Sequence, residues 1–173
     1  MDIAALKKEA KNKKTLKTRL LELAKIPEPT IQNAVASNLN APLAALEYLS
    51  GHGKWTILKA VAINPNVSLA ILEKLASHKQ VSVCVAVSES KNISLQLLEQ
   101  LARHPDCDVR RAITKNDHCS HTIFTLLSQD SEPMVRHDIA VQRNCPLVIR
   151  QKLAKDPDSD VRSVATWFIN RWH

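Results

Sequence analysis

The sequence predicts an all-α solenoid of six helix pairs behind a short leader helix. One observation is register: from Thr15 the chain falls into six rows of 26 residues without a gap, 15–40, 41–66, 67–92, 93–118, 119–144 and 145–170. A second is that the rows repeat chemistry as well as length. Leu23, Leu49, Leu75, Leu101, Leu127 and Leu153 share the ninth column, and Ile31, Ile57, Val83, Val109, Val135 and Val161 the seventeenth. Ala34, Ala60, Ala86 and Ala112 share the twentieth, and Asn40, Asn66, Asn92, Asn144 and Asn170 the last. A fixed period this short marks units that bury their apolar faces only against neighbours. The third is composition: 45% of residues are hydrophobic but only 3% aromatic, so Ala, Leu, Ile and Val must pack closely stacked helices.

Residues 1–14 read as a leader, with a helix near 2–13 whose Ile3, Leu6 and lysines cap the first row. Residues 15–173 then form one elongated domain. In row 93–118, Leu95, Leu98, Leu101 and Ala102 recur at helical spacing, which turns them inward, with Ile93 and Leu97 on the flank. Ser94 shares its column with Ser68, Ser120, Pro42 and Pro146, all residue types that suit a first helical turn. His104-Pro105-Asp106 breaks the helix. A second helix follows from Cys107 with Val109, Ala112 and Ile113 inward, ending near Asn116. With only two glycines, the turns are expected to place Asn in the left-handed region. Helices this short are marginal alone, so packing between rows must hold them. Trp167, Phe168 and Trp172 close the far end as an aromatic cap, folding back or meeting another molecule.

Composition narrows the function. The first 25 residues are lysine-rich and no stretch is apolar enough for a membrane span, so neither secretion nor membrane insertion is expected. Cys84, Cys107, Cys119 and Cys145 lie far apart without a CxxC pair, which points to reduced thiols in the cytoplasm. The net charge is +7, and residues 1–25 hold eight Lys or Arg against three acids, so the basic character belongs to the leader region. Two glycines leave no phosphate-cradling loop, and no catalytic triad or paired-carboxylate pattern stands out.

The last row carries a recognisable pattern: Pro146, Leu153-Ala154, Asp156-Pro157, Asp160-Val161-Arg162, Val164-Ala165 and Asn170. It resembles the bacterial leucine-rich repeat variant family, a relative in shape of HEAT repeats. The resemblance covers residues 15–170. It implies a right-handed superhelix of longer α-helices alternating with shorter, partly 3₁₀ ones. The rows here are 26 residues against the family's 24, which suggests fuller second helices. The iron–sulfur module of some members needs cysteines before the repeats, and none precedes Cys84. Iron-binding HEAT enzymes use His-Glu dipeptides, and the chain has none.

Three groups of residues invite a chemical role. Arg110, Arg136 and Arg162 share a column, each with an acid four residues earlier (Asp106, Glu132, Asp158), and read as helix-stabilising pairs. His52, His78 and His104 share the twelfth column; neighbouring helices about 8–10 Å apart keep three imidazoles from one metal, so turn capping is expected. Rows five and six break the pattern: His121 replaces a leucine of column three, Asp138 an alanine of column twenty, Arg150 an apolar residue of column six. These three read as a structural polar cluster in which Asp138 reaches Arg150, with Cys119 and Cys145 nearby.

The outward positions of the second helices, columns nineteen and twenty-three, hold Lys59 and Ile63, Val85 and Glu89, Arg111 and Lys115, His137 and Val141, Ser163 and Trp167. Superhelices of the implied type line their concave side with second helices. The strip mixes apolar groups with both signs of charge, which suits a protein partner. The expectation is therefore a non-catalytic protein-binding scaffold without metal or cofactor. The alternative is nucleic-acid binding through Lys7, Lys8, Lys11, Lys13, Lys14, Lys17 and Arg19, aided by Arg111, Lys115 and Arg143.

Overall fold

The structure is a computed structural model that describes residues 2–172, with the side chain of Trp172, expected in the aromatic cap, outside the described residues. It is all-α: thirteen helices and no strand among the described residues. They are α1 (Ile3–Lys11), α2 (Lys17–Ala24), α3 (Pro29–Ala36), α4 (Leu43–His52), α5 (Trp55–Ile63), α6 (Leu69–Ala76) and α7 (Val81–Ser88). There follow α8 (Leu95–Leu101), α9 (Cys107–Thr114), α10 (His121–Leu127), α11 (Pro133–Ala140), α12 (Leu147–Leu153) and α13 (Ser159–Trp172). Among the described residues, no helix is long and apolar enough to cross a membrane.

The sequence register reappears in the helix starts. Every row's first helix begins in column three, at Lys17, Leu43, Leu69, Leu95, His121 and Leu147. Every second helix begins in column fifteen, at Pro29, Trp55, Val81, Cys107, Pro133 and Ser159. The expected contrast of long first and short second helices is absent. First helices run 7 to 10 residues and second helices 8 to 14, all of them α.

Hydrophobic columns bury as their spacing requires. Leu23, Leu49, Leu75, Leu101, Leu127 and Leu153 are all buried, as are Ile31, Ile57, Val83, Val109, Val135 and Val161. Column three is the exception. Leu95 is 47% exposed, and Leu43 and Leu69 are also exposed, because the first residue of these helices precedes the turn that meets the core. The inward set is instead Ile93, Leu97, Leu98, Leu101 and Ala102.

The chain divides into two compact units, Met1–Ser94 and Leu95–His173. In the first, α1, α3, α5 and α7 pack side by side as one layer, and α2, α4 and α6 form the other. Successive second helices pack more closely than successive first helices there. In the second unit α9, α11 and α13 pack in sequence, with α8, α10 and α12 each against the second helix of its own row. The leader helix α1 thus takes a second-helix place before α3; its buried contact is Ala10, with Leu6 half-buried, whereas Ile3 is exposed and does not cap.

The turns work differently from the expectation. Among the described residues no residue, glycine included, has positive φ, so asparagine does not serve in the left-handed region. It ties rows together instead. Asn38 donates to the carbonyls of Ala10 (2.7 Å) and Asn12 (3.1 Å), and Asn64 donates to those of Ala36 (2.7 Å) and Asn38 (3.0 Å). Each also accepts the backbone N–H two residues on. In the last column, Asn40 donates to Thr15, Asn66 to Leu39 and Ala41, and Asn92 to Pro65 and Val67. These bonds satisfy carbonyls at the end of the preceding second helix and in the turn that leads into the next first helix.

Candidate functional site

The second unit keeps a buried Asn116, which accepts the His118 N–H, and adds charged ties. Arg110 forks onto Asp130 (Nε–Oδ2 2.6 Å, Nη2–Oδ1 2.8 Å) and gives Nη1 to the carbonyls of His104 and Pro105 (both 2.9 Å). Arg136 repeats this with Asp156 (2.8 and 2.7 Å) and the carbonyls of Asp130 and Ser131. Arg162 donates to the carbonyls of Asp156 and Pro157. The acid partner is therefore the column-twelve aspartate of the next row, twenty residues on, and not the acid four residues back. These arginines are structural clamps, with the Arg110–Asp130 and Arg136–Asp156 pairs largely shielded from water.

Electrostatics follow from those contacts. The Arg136 guanidinium holds the Asp156 carboxyl below its ordinary value of 3.8 against the opposing effect of burial. At Asp130 burial pushes up, but Arg110 and the Glu132 N–H prevail and lower it. Column twelve also caps the turns: the N–H two residues on is accepted by His78, His104, Asp130 and Asp156. His52 departs from this, stacking on Tyr48 (ring centroids 4.4 Å apart) with Nδ1 on its carbonyl.

The expected cluster of His121, Asp138 and Arg150 does not assemble. His121 is exposed, because column three faces outward. Asp138 pairs with Arg111 (Nε–Oδ2 2.8 Å), and His137 Nδ1 lies 3.7 Å from its other oxygen. Arg150 is buried, 1% exposed, and donates to the carbonyls of Ala140 (3.2 Å) and Gln142 (2.5 Å). Those two carbonyls occupy the columns, twenty-two and twenty-four, that Asn64 serves in row two. Row six has Phe168 where that asparagine would stand, and the Arg150 guanidinium lies 5.3 Å from the Phe168 ring centroid. Arg150 thus substitutes for the missing amide. Arg150→Leu is expected to cost about 2 kcal/mol by stranding both carbonyls. Adding Phe168→Asn should recover part of it, whereas a cycle with Asp138→Ala should be additive. Chemical denaturation of the variants checks both outcomes.

Burial pushes the Cys119 thiol up to about 12 and the Cys145 thiol to about 11, which keeps both protonated. All four cysteines are free, and no three potential metal ligands cluster among the described residues.

The outward second-helix positions remain as the candidate binding surface. On the first unit Ile63 is 57% exposed, Lys59 Nζ stands 5.9 Å from the Trp55 ring centroid, Val85 is half-buried and Glu89 exposed. On the second unit Arg111 is held by Asp138, Lys115 and Ser163 are exposed, and His137 and Val141 are half-buried. Trp167 is 51% exposed, with Phe168 edge-on at 4.8 Å and the Arg171 guanidinium 5.1 Å from its ring. The half-buried Phe168 lies against the Arg150 guanidinium.

A groove of about 620 Å³, absent from the sequence expectations, lies between α1, α3 and α5, lined by Lys7, Lys11, Thr30, Asn33, Ser37 and Thr56 over an apolar floor. Its signal was in the register. Continuing the 26-residue period back before Thr15 puts Lys7 and Lys11 in columns nineteen and twenty-three, those of Asn33 and Ser37 and of Lys59 and Ile63. No protein-family model matches the chain, and no curated protein matches it either.

Proposed function

We propose that the chain is a non-catalytic scaffold that holds a protein partner on the outward face of its second helices. The observation that carries this is the makeup of that face: Ile63 and Trp167 are exposed, and its cations are interrupted by apolar positions, by Glu89 and by the pairing of Arg111 with Asp138. Exposed apolar anchors inside a polar surround are what protein interfaces use. In this reading the six rows stack as a right-handed solenoid of the leucine-rich repeat variant kind. The closer packing among second helices than among first helices in the first unit supports a concave second-helix side. The protein works in the cytoplasm with its thiols reduced.

Nucleic-acid binding is the second reading, favoured by the lysines of α1 that line the groove. A salt series on heparin and on duplex DNA separates the two. Phosphate contacts give a steep fall in affinity with salt. Weak, early elution from both matrices is expected. In parallel, Ile63→Asp and Trp167→Asp should each abolish capture of a partner that wild type and Leu69→Glu retain equally. Capture unaffected by either face variant, together with salt-steep DNA binding, refutes the scaffold reading in favour of the second.

A further inference from the structure

We propose that the groove between α1, α3 and α5 receives acidic side chains of an extended protein segment whose neighbouring apolar residue rests on Ile63. This deepens the scaffold reading and rests on it. The groove's cations are Lys7 and Lys11, and no carboxylate lines it. The side chains of Lys7, Lys11, Asn33, Ser37 and Thr56 make no hydrogen bond or ion pair with other described residues, so two ammonium groups, an amide and two hydroxyls stand ready as donors. Such a set fits carboxylates, which accept several hydrogen bonds at once and gain most from cationic donors.

The positions beyond the groove select a peptide over a phosphate backbone. Along the first unit the second-helix positions run from Lys7 and Lys11 through Asn33 and Ser37 to Lys59 and Ile63, and then to Val85 and Glu89. A nucleic-acid strand following this line would meet an exposed isoleucine beside Lys59 and then a valine and a glutamate. A peptide can place acids at one end and an apolar residue at the other. Adjacent packed helices lie about 9 Å apart, so the two steps from α1 across α3 to α5 cover about 18 Å, a distance about five or six extended residues span. The segment therefore carries Asp or Glu at one point and an aliphatic or aromatic residue about five or six positions away.

Selection of phage-displayed random linear peptides on the full chain tests this. Enriched sequences should share that spacing of acid and apolar residue. A synthetic peptide from the enriched set should bind the Lys7→Gln/Lys11→Gln variant about tenfold more weakly or worse, a loss equivalent to one decade in Kd. Lys7→Arg/Lys11→Arg should restore binding, Ile63→Asp should weaken it, and all variants should keep the wild-type melting temperature. Peptides without acids, acidic peptides indifferent to the lysine variant, or no enrichment overturn the proposal. If Ile63→Asp abolishes binding while the lysine variant does not, the groove assignment falls and the scaffold reading stands. Duplex DNA bound through the two lysines, with no peptide bound, overturns both.

Discussion

Asp156→Ala is expected to cost about 3–5 kcal/mol, among the largest single losses in the chain. The substitution strands the Arg136 guanidinium, which is shielded from water and bound through Nε and Nη2 to that carboxylate alone. Removing both partners should cost much less, since buried charge is expensive chiefly when unpaired. Arg136→Leu/Asp156→Ala is therefore expected to recover most of the loss, and Leu58 shows that a leucine fits column eighteen. Denaturant unfolding of the four proteins measures the coupling. The same pair sets a pH dependence. Asp156 and Asp130 both have folded values below 3.8, so their contribution is complete above that pH and is lost as pH falls through the folded values. Wild-type stability should fall below about pH 4, and Asp156→Asn should flatten that fall.

Asn64→Ala is expected to cost about 3 kcal/mol, several times the loss at the exposed Asn66. Asn64 is buried, and its amide bonds the Ala36 and Asn38 carbonyls while its oxygen takes the Asn66 N–H. Alanine leaves all three groups without that partner and opens a gap between rows. Each buried polar group stranded in this way costs about 1–3 kcal/mol. Asn64→Asp tests the donor role separately: it keeps the acceptor for Asn66 N–H but sets an oxygen against two carbonyl oxygens. It should be no better than alanine in thermal melts.

The helix starts were legible because column chemistry repeats every 26 residues, and each start fell in one column of that register. The ties between rows were not. An acid four residues before an arginine looks like a helical pair, yet Arg110 and Arg136 reach twenty residues forward, because the next row's turn stands beside their own. Leucine in column three looked inward since it continues an apolar spacing, but a helix's first residue can precede the buried turn, as Leu95 does. Arg150 breaks the apolar pattern of column six, and charge there suggests a charged partner, whereas the vacancy it fills is set by Phe168 in the asparagine column. Of the candidate site, the outward columns could be read from the register. The groove is legible only when the register is carried back before Thr15, where α1 holds a second-helix position.

Exposed apolar groups stand in two kinds of place: at second-helix positions, with Ile63 in the first unit and Trp167 in the second, and at the starts of first helices, with Leu43 and Leu69 in the first unit and Leu95 in the second. Hydrogen–deuterium exchange of the chain, alone and with its captured partner, separates them most directly. Slowed exchange confined to the second-helix layer, α1, α3, α5, α7, α9, α11 and α13, is the expected result. Protection confined to α4, α6 and α8, with the second helices unchanged, would contradict the proposed binding face.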